Sequence, residues 1–133
     1  MAKISGKSWT TLSVDDSGGT PVAIKNDVTE FDFATPRGVQ DVTGVDKAAN
    51  ERLLLLSDFT INLKGVFNVS TSHTVFKTVS SSDTARTVSL AIASQTLANE
   101  CVFTDYALTR ASSGEFTWSS PGMLSDGTTP TWS

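Results

Sequence analysis

From Asp58 onward the chain alternates strictly. Phe59, Ile61, Leu63 and Phe67 point one way, with Gly65 among them, while Asp58, Thr60, Asn62 and Lys64 point the other. A period of two is that of a half-buried β-strand. The preceding run, Leu53 to Leu56, does not alternate, and a continuous apolar run in a strand implies cover on both faces. Arg52 to Phe67 therefore predicts one long strand, half-solvated at one end and covered on both sides at the other. The second covering surface must come from this chain or from another copy of it.

Other stretches follow the same logic. Trp9 to Val14 alternates and predicts a short strand. Asp15-Asp16-Ser17-Gly18-Gly19 is a turn of residues that tolerate positive φ. Pro21 to Ile24 returns as a hairpin arm, with Pro21 permitted at a strand start. Thr29 to Ala34 predicts a third strand. Residues 35–46 carry two glycines, a proline and scattered valines, and read as a long irregular loop or an extended flap. Val39, Val42 and Val45 would be wasted in a disordered segment, so this loop is expected to dock on something. Asp46 to Asn50 offers one helical turn.

His73 to Val79 places Val75, Phe76 and Val79 on one helical face. That predicts a two-turn helix capped by Ser70 or Ser72. Its β-branched content requires support from the sheet. Thr84 to Ala93 is a strand with Val88, Leu90 and Ile92 inward, followed by a turn over Ser94 to Ala98. Asn99 to Arg110 predicts a second long strand covered on both faces. Ala111 to Gly114 is a hairpin loop, and Glu115 to Ser119 returns with Phe116 and Trp118 on one face. The tail from Pro121 holds Met123, Leu124 and Trp132 among Gly, Pro and Thr. It is expected to strap across the body, because Trp132 is too large an apolar group to leave in water. Together these predict a β-sandwich or partly closed barrel of about seven strands with one short flanking helix. One domain over residues 1–133 is expected, with a polar N-terminal arm (1–7), the long loop (35–46) and a C-terminal strap (120–133).

Composition narrows the chemistry. One cysteine, Cys101, excludes an internal disulfide and reads as a small buried hydrophobe. A net charge of −4 disfavours a nucleic-acid grip, which needs a basic footprint. There is no apolar run of membrane-spanning length, and the polar N-terminus does not suggest a secretory signal. One His and one Cys make no zinc site. Asp15, Asp16, Asp27 and Glu30 lack the calcium-loop pattern and read as exposed turn acids. His73 reads as a surface or capping residue rather than a base. Ser5-Gly6-Lys7-Ser8 lacks the leading glycine of a phosphate loop. Trp9, Trp118 and Trp132 read as core or interface anchors rather than sugar platforms. No catalytic, cofactor or metal residues emerge.

Two stretches carry a resemblance. The first is Val28 to Asp46 followed by Glu51 to Phe59. The second is Ala107 to Trp118, with the ending Asp126-Gly127-Thr128-Thr129-Pro130-Thr131-Trp132. In phrase and in the order strand, long loop, long strand, short helix, strands, the chain resembles the major tail proteins of long-tailed, non-contractile bacteriophages. The resemblance implies a non-enzymatic virion subunit, assembled in the host cytoplasm into homohexameric rings that stack into a tail tube. It implies partners in a tape-measure protein and in tail terminator and initiator proteins, and a lumen through which DNA passes without specific binding. Inter-subunit contact candidates are then Pro36, Arg37, Val39, Val42, Val45, Leu54, Leu56 and Trp132. Lumen-facing candidates are Asp58, Asn62, Lys64 and Asp105, of which Lys64 breaks a purely acidic lining. The competing reading is a virion decoration or adhesion β-sandwich that binds capsid or carbohydrate.

Overall fold

The computed structural model describes residues 3–133, so the first two positions of the expected N-terminal arm lie outside the described residues. A 3₁₀ turn, Gly6–Ser8, leads into β1 (Trp9–Asp15) and β2 (Pro21–Ala23). The next elements are β3 (Val28–Ala34), β4 (Arg37–Asp41), β5 (Arg52–Ser57), β6 (Thr60–Val66) and α1 (Ser72–Phe76). The chain ends with β7 (Arg86–Ile92), β8 (Gln95–Phe103), β9 (Ala107–Arg110) and β10 (Phe116–Leu124). Eight strands form one antiparallel sheet in the order β2-β1-β7-β8-β10-β6-β3, with β9 also on β10. The sheet folds over without closing into a barrel: Trp9 of β1 meets Phe31 of β3 at 4.8 Å between ring centroids, although four strands separate them in the sheet order.

The alternating residues fill the space between the folded halves. Leu12 and Val14 of β1, Val88 and Leu90 of β7, and Leu97 and Cys101 of β8 face Ile61 and Leu63 of β6 and Trp118 of β10. The first hairpin is as predicted. The Asp16 carboxylate accepts from Gly18 and Thr20 N–H at 2.9 and 3.0 Å, and Gly19 takes φ +83°. The turn predicted at Ser94 to Ala98 is tighter. Ala93 and Ser94 alone make it, at φ +50° and +68°, and pairing resumes at Gln95 opposite Ile92.

Both predicted long strands are broken. Arg52 to Phe67 divides at Asp58-Phe59, because Phe59 turns fully into the core while β5 swings away to pair only with β4. Asn99 to Arg110 divides at Thr104 to Tyr106. The outer edge of β8 belongs to β7, so the chain must cross over before β9 can join the other end of β10. Tyr106 turns inward at that crossing, 5.7 Å from the Phe76 ring and 6.1 Å from Trp118. The expected helical turn at Asp46 to Asn50 is absent; the chain there makes only turns and bends.

Helix α1 is shorter than predicted and its N-cap is Thr71, not Ser70 or Ser72. Thr71 does not cap through its side chain, because its hydroxyl donates to Asp27. Asp27, expected as an exposed turn acid, is buried. It also accepts from Asn68 Nδ2 at 3.1 Å and from Ser72 N–H at 3.2 Å, so one carboxylate ties the start of β3 to the start of α1. Val75 and Phe76 reach the core as the helical face predicted. Arg86 is buried beneath the same segment and donates to Thr78 Oγ1 at 2.7 Å and to the Val75 carbonyl. Burial lowers its affinity for the proton, which the nearby charges of Asp16 and Asp15 partly restore. Residues 120–124 of the expected strap complete β10. The remainder runs extended to a reciprocal pair between Ser133 and Thr96, at 2.8 and 2.9 Å.

Burial pushes the Asp27 carboxyl up, but the bonds from Thr71, Asn68 and Ser72 outweigh it and hold the group below its ordinary value. The ionised form therefore stabilises the fold, fully so above the ordinary aspartate value of about 4. That contribution fades as pH falls through the lower folded value. Replacing Asp27 by Ala is expected to cost at least about 2 kcal/mol at pH 7, given roughly 1.5–3 kcal/mol for a hydrogen bond to a charged group. Urea unfolding at pH 7 and pH 3 checks both points: the gap between Asp27→Ala and the parent should narrow at the lower pH.

Candidate assembly surfaces

Strands β4 and β5 form a two-stranded arm hydrogen-bonded to no other strand. An isolated hairpin is marginal in water, yet this one is braced at both ends. At its root, Asp58 N–H donates to the Pro36 carbonyl at 2.9 Å, and Arg37 gives two bonds to the Leu55 carbonyl at 3.0 and 2.9 Å. At its tip, Asp41 accepts from Thr43 N–H at 2.9 Å, Thr43 Oγ1 accepts from Glu51 N–H at 2.8 Å, and Val42 N–H donates to the Glu51 carbonyl at 2.9 Å. The Thr43 hydroxyl and N–H hold the Asp41 carboxyl below its ordinary value. Of the two forms residues 35–46 allowed, the structure takes the extended flap.

The leucine run is largely exposed among the described residues, so of the two sources of cover its pattern allowed, the subunit itself supplies little. Leu54 is 61% and Leu56 91% exposed, on opposite faces from Leu53 and Leu55 only in the sense of strand alternation, for these too are exposed. Val39, Val42 and Val45 extend the same apolar surface to the tip. Full burial of one such side chain contributes roughly 1.5–3 kcal/mol, and the subunit by itself leaves most of that gain unrealised on the arm. Seven of the eight contact candidates, from Pro36 to Leu56, lie on this arm. Trp132 sits apart on the strap, half-exposed and 6.0 Å from the Phe33 ring. A cleft of about 880 Å³ separates the root of the arm, at Arg37 and Leu54 to Leu56, from the strap at Thr129 and Pro130.

A second surface is the outer face of β9-β10-β6-β3, polar at its centre, with exposed Val66 and Met123 toward its two ends. Asn62, Lys64 and Asp105 come together there with Asp32, Ser119 and Pro121 around a shallow depression of about 420 Å³. Asn62 Nδ2 donates to Asp32 Oδ1 at 3.1 Å, and Lys64 lies opposite Glu30 across the β3–β6 register. Three carboxylates thus accompany one ammonium, with Thr29, Thr109 and Thr117 alongside. Asp58 is not part of this face. It lies in the joint between β5 and β6, where its carboxylate accepts from Phe59 N–H at 2.7 Å.

The remaining reactive groups are occupied structurally. His73 is half-buried, with Nδ1 3.2 Å from the Tyr106 hydroxyl and its ring 4.9 Å from Phe67, rather than a free surface residue. Burial, with the nearby charges of Glu100, Asp126 and Asp58, pushes the Cys101 thiol up to about 12, leaving it protonated and inert. Among the described residues no cluster of His, Cys, Asp and Glu suits a metal ion. Sequence reasoning missed one set. Phe116, placed inward with Trp118, is 42% exposed at the open end of the sandwich, where Val66, Val69 and Leu108 are exposed as well.

No protein-family model matches the sequence, and no curated protein does. Solved structures share the fold. A chain from the virion of a native gene transfer agent particle superposes with a TM-score of 0.76 over 97% of this chain and 99% of its own, at 15% identity. A chain from the tail of an empty gene transfer agent particle, solved with helical refinement and C6 symmetry, gives 0.73 over 98% of each chain, again at 15% identity. At that identity the likeness is one of fold, and it is the mainly β, tail-tube-like fold that the resemblance to phage major tail proteins implied.

Because Leu54 and Leu56 are mostly exposed and lie outside the buried core cluster, Leu54→Asp with Leu56→Asp should leave its stability within about 0.5 kcal/mol, as for ordinary surface changes. Thermal unfolding of dilute protein checks this. A large loss would mean that the arm belongs to the core after all.

Proposed function

We propose that the chain is a tube subunit of a phage-like tail. Copies close into hexameric rings, the rings stack, and the bore carries DNA to the host. The observation that carries this reading is the braced β4–β5 arm, whose leucines and valines stay largely exposed among the described residues. It stands on a fold shared end to end with a chain from a tail of C6 symmetry. A free apolar arm on a core complete without it suits a subunit made to be covered by its neighbours. Contacts between unlike surfaces propagate, as a tube requires.

In this reading the outer face of β9-β10-β6-β3 lines the bore, with Asn62, Lys64 and Asp105 in the lining and Asp58 at its margin. The free edges of β3 and β9 meet across the ring, which removes the exposed edges that an isolated sheet leaves open. A lining of hydroxyls and an excess of carboxylates grips no phosphate, so DNA slides through. The arm and strap candidates, Pro36 to Leu56 and Trp132, make the inter-subunit contacts. The role is structural and without catalysis, in a virion tail assembled in the host cytoplasm. Its partners are a tape-measure protein along the bore and terminator and initiator proteins at the ends.

Negative-stain electron microscopy over rising concentration, with light scattering alongside, tests the reading. Rings with a central hole and sixfold averages, growing into tubes, are expected. A sample that stays monomeric or trimeric at every concentration, and binds capsid or glycan, would favour a decoration or adhesion module instead. In assembled particles, Asp32→Lys with Asp105→Lys should spare tube formation and reduce infectivity or gene transfer. Unchanged delivery would exclude phosphate repulsion as the purpose of this face.

A further inference from the structure

The buried guanidinium of Arg86 meets only neutral acceptors. Arg86 opens β7 with its side chain turned inward and is 2% exposed. Nη1 donates to the Val75 carbonyl and to the Asp15 carbonyl at 3.4 Å, and Nη2 donates to Thr78 Oγ1 at 2.7 Å. A guanidinium carries five N–H groups, so these bonds leave Nε–H and one N–H of Nη2 over. The charges of Asp16 and Asp15 favour the cation through space. Yet Asp16 commits its carboxylate to the Gly18 and Thr20 N–H groups, and Asp15 meets the guanidinium through its carbonyl. A buried charge without a close counter-charge is costly.

Beside Arg86 lies a cavity of about 250 Å³, between the start of β7, the end of β8 and the loop that follows α1. Val79 and Phe103 give it apolar walls, while Ser82, Asp83 and Thr84 line it from the loop. Ser82 Oγ donates to Thr84 Oγ1 at 3.0 Å and accepts from Thr84 N–H at 3.3 Å, which sets the two hydroxyls side by side. The geometry points to this cavity as a binding site for one small tetrahedral oxyanion, of the phosphate or sulfate class. The two remaining guanidinium N–H groups supply charge-assisted bonds, and the Ser82 and Thr84 hydroxyls supply neutral ones. Apolar walls lower the local dielectric and strengthen both. The volume lies below the roughly 300–1,000 Å³ of sites for drug-sized ligands, which favours a lone ion over a nucleotide. Asp83, exposed on the loop, opposes the ion and limits its affinity. Once bound, the ion ties the loop to β7 and supplies the counter-charge that Arg86 lacks. The lining comes from β7, β8 and the loop, and none of it from β3, β6, β9 or β10. The site is therefore independent of the bore and of how copies assemble.

Sodium phosphate titrated into the dilute protein, in chloride buffer of matched ionic strength, tests the site by calorimetry and thermal unfolding, with sodium sulfate in parallel. A saturable heat with either ion is expected, with a Tm rise that levels off and reaches about 5 °C at ~20 times Kd. Ser82→Ala with Thr84→Val should stay folded in chloride and bind at least about tenfold more weakly, as for two lost hydrogen bonds. Asp83→Asn should bind roughly threefold more tightly, having lost an opposing surface charge. A Tm that climbs linearly with both salts and never levels off is the general effect of excluded ions and would overturn the site. A saturable effect undiminished in Ser82→Ala with Thr84→Val would overturn it too. If Asp83→Asn lowers Tm in chloride and phosphate gives no heat with the parent, Asp83 is itself the counter-charge of Arg86 and the cavity takes no ion.

Discussion

Strand β10 must serve two partners on one edge. Over Gly122 to Leu124 that edge pairs with β8, and over Phe116 to Ser119 it pairs with β9, while the opposite edge pairs with β6 throughout. The chain between β8 and β9 has to step across in three residues, and the step is fixed by side-chain chemistry. Ser120 donates to the Asp105 carbonyl at 2.7 Å, Thr104 N–H reaches the Pro121 carbonyl at 3.3 Å, and Tyr106 turns into the aromatic cluster with Phe76 and Trp118. Gly122 is required where the strands converge, because a Cβ there would lie 2.8 Å from the Phe103 ring. This step sends β1, β2, β7 and β8 to one side and β3, β6, β9 and β10 to the other, and the core is the space between.

A core closed in this way explains the division of labour between body and arm. Phe59 ends β5 by entering the core, so the chain on its N-terminal side is turned out of the sheet altogether. The apolar residues of β4 and β5 then cannot be reached by the body's own core side chains. At the opposite end, Asp27 performs the converse task. It binds α1 against the mouth of the sandwich through Thr71, Asn68 and Ser72, and leaves the Phe67–Phe116 stack at the rim. Both exposed apolar surfaces, the arm and the rim at Phe67 and Phe116, are consequences of how the sheet is folded.

Much of this was legible in the sequence because alternation reports which face a strand buries. Leu12, Val14, Ile61, Leu63, Val88 and Leu90 all point where the period of two put them. The turn chemistry of Asp15 to Gly19 was legible for the same kind of local reason. Continuity was not. An apolar run such as Leu53 to Leu56 has the same pattern whether it is covered within the subunit or exposed for a neighbour, and no local signal marks Asp58-Phe59 as the point where a strand leaves the sheet. The step at Thr104 to Tyr106 was hidden likewise, because it answers a pairing demand set by residues some twenty positions away, on β10 and β7. Asp27 was misjudged since its partners, Asn68 to Ser72, are distant in sequence. Three of the four polar candidates, Asn62, Lys64 and Asp105, do share a face, but Asp58 was assigned by counting back through a break in the strand.

An apolar arm with two open edges is an aggregation hazard before assembly, and the arm's own sequence limits it. The two bonds from Arg37 occupy the Leu55 carbonyl, and the guanidinium sits among the leucines at the root. The tip is closed by the Asp41–Thr43–Glu51 bonds, so the ends of the ribbon present no free ladder groups at those points. Ionised groups at Asp41, Glu51 and Arg52 frame the apolar stretch, and the net charge of −4 keeps like subunits apart at long range. Random edge-to-edge pairing would have to strip these charges of water. The same few residues therefore penalise disordered contact along the open edges of the arm.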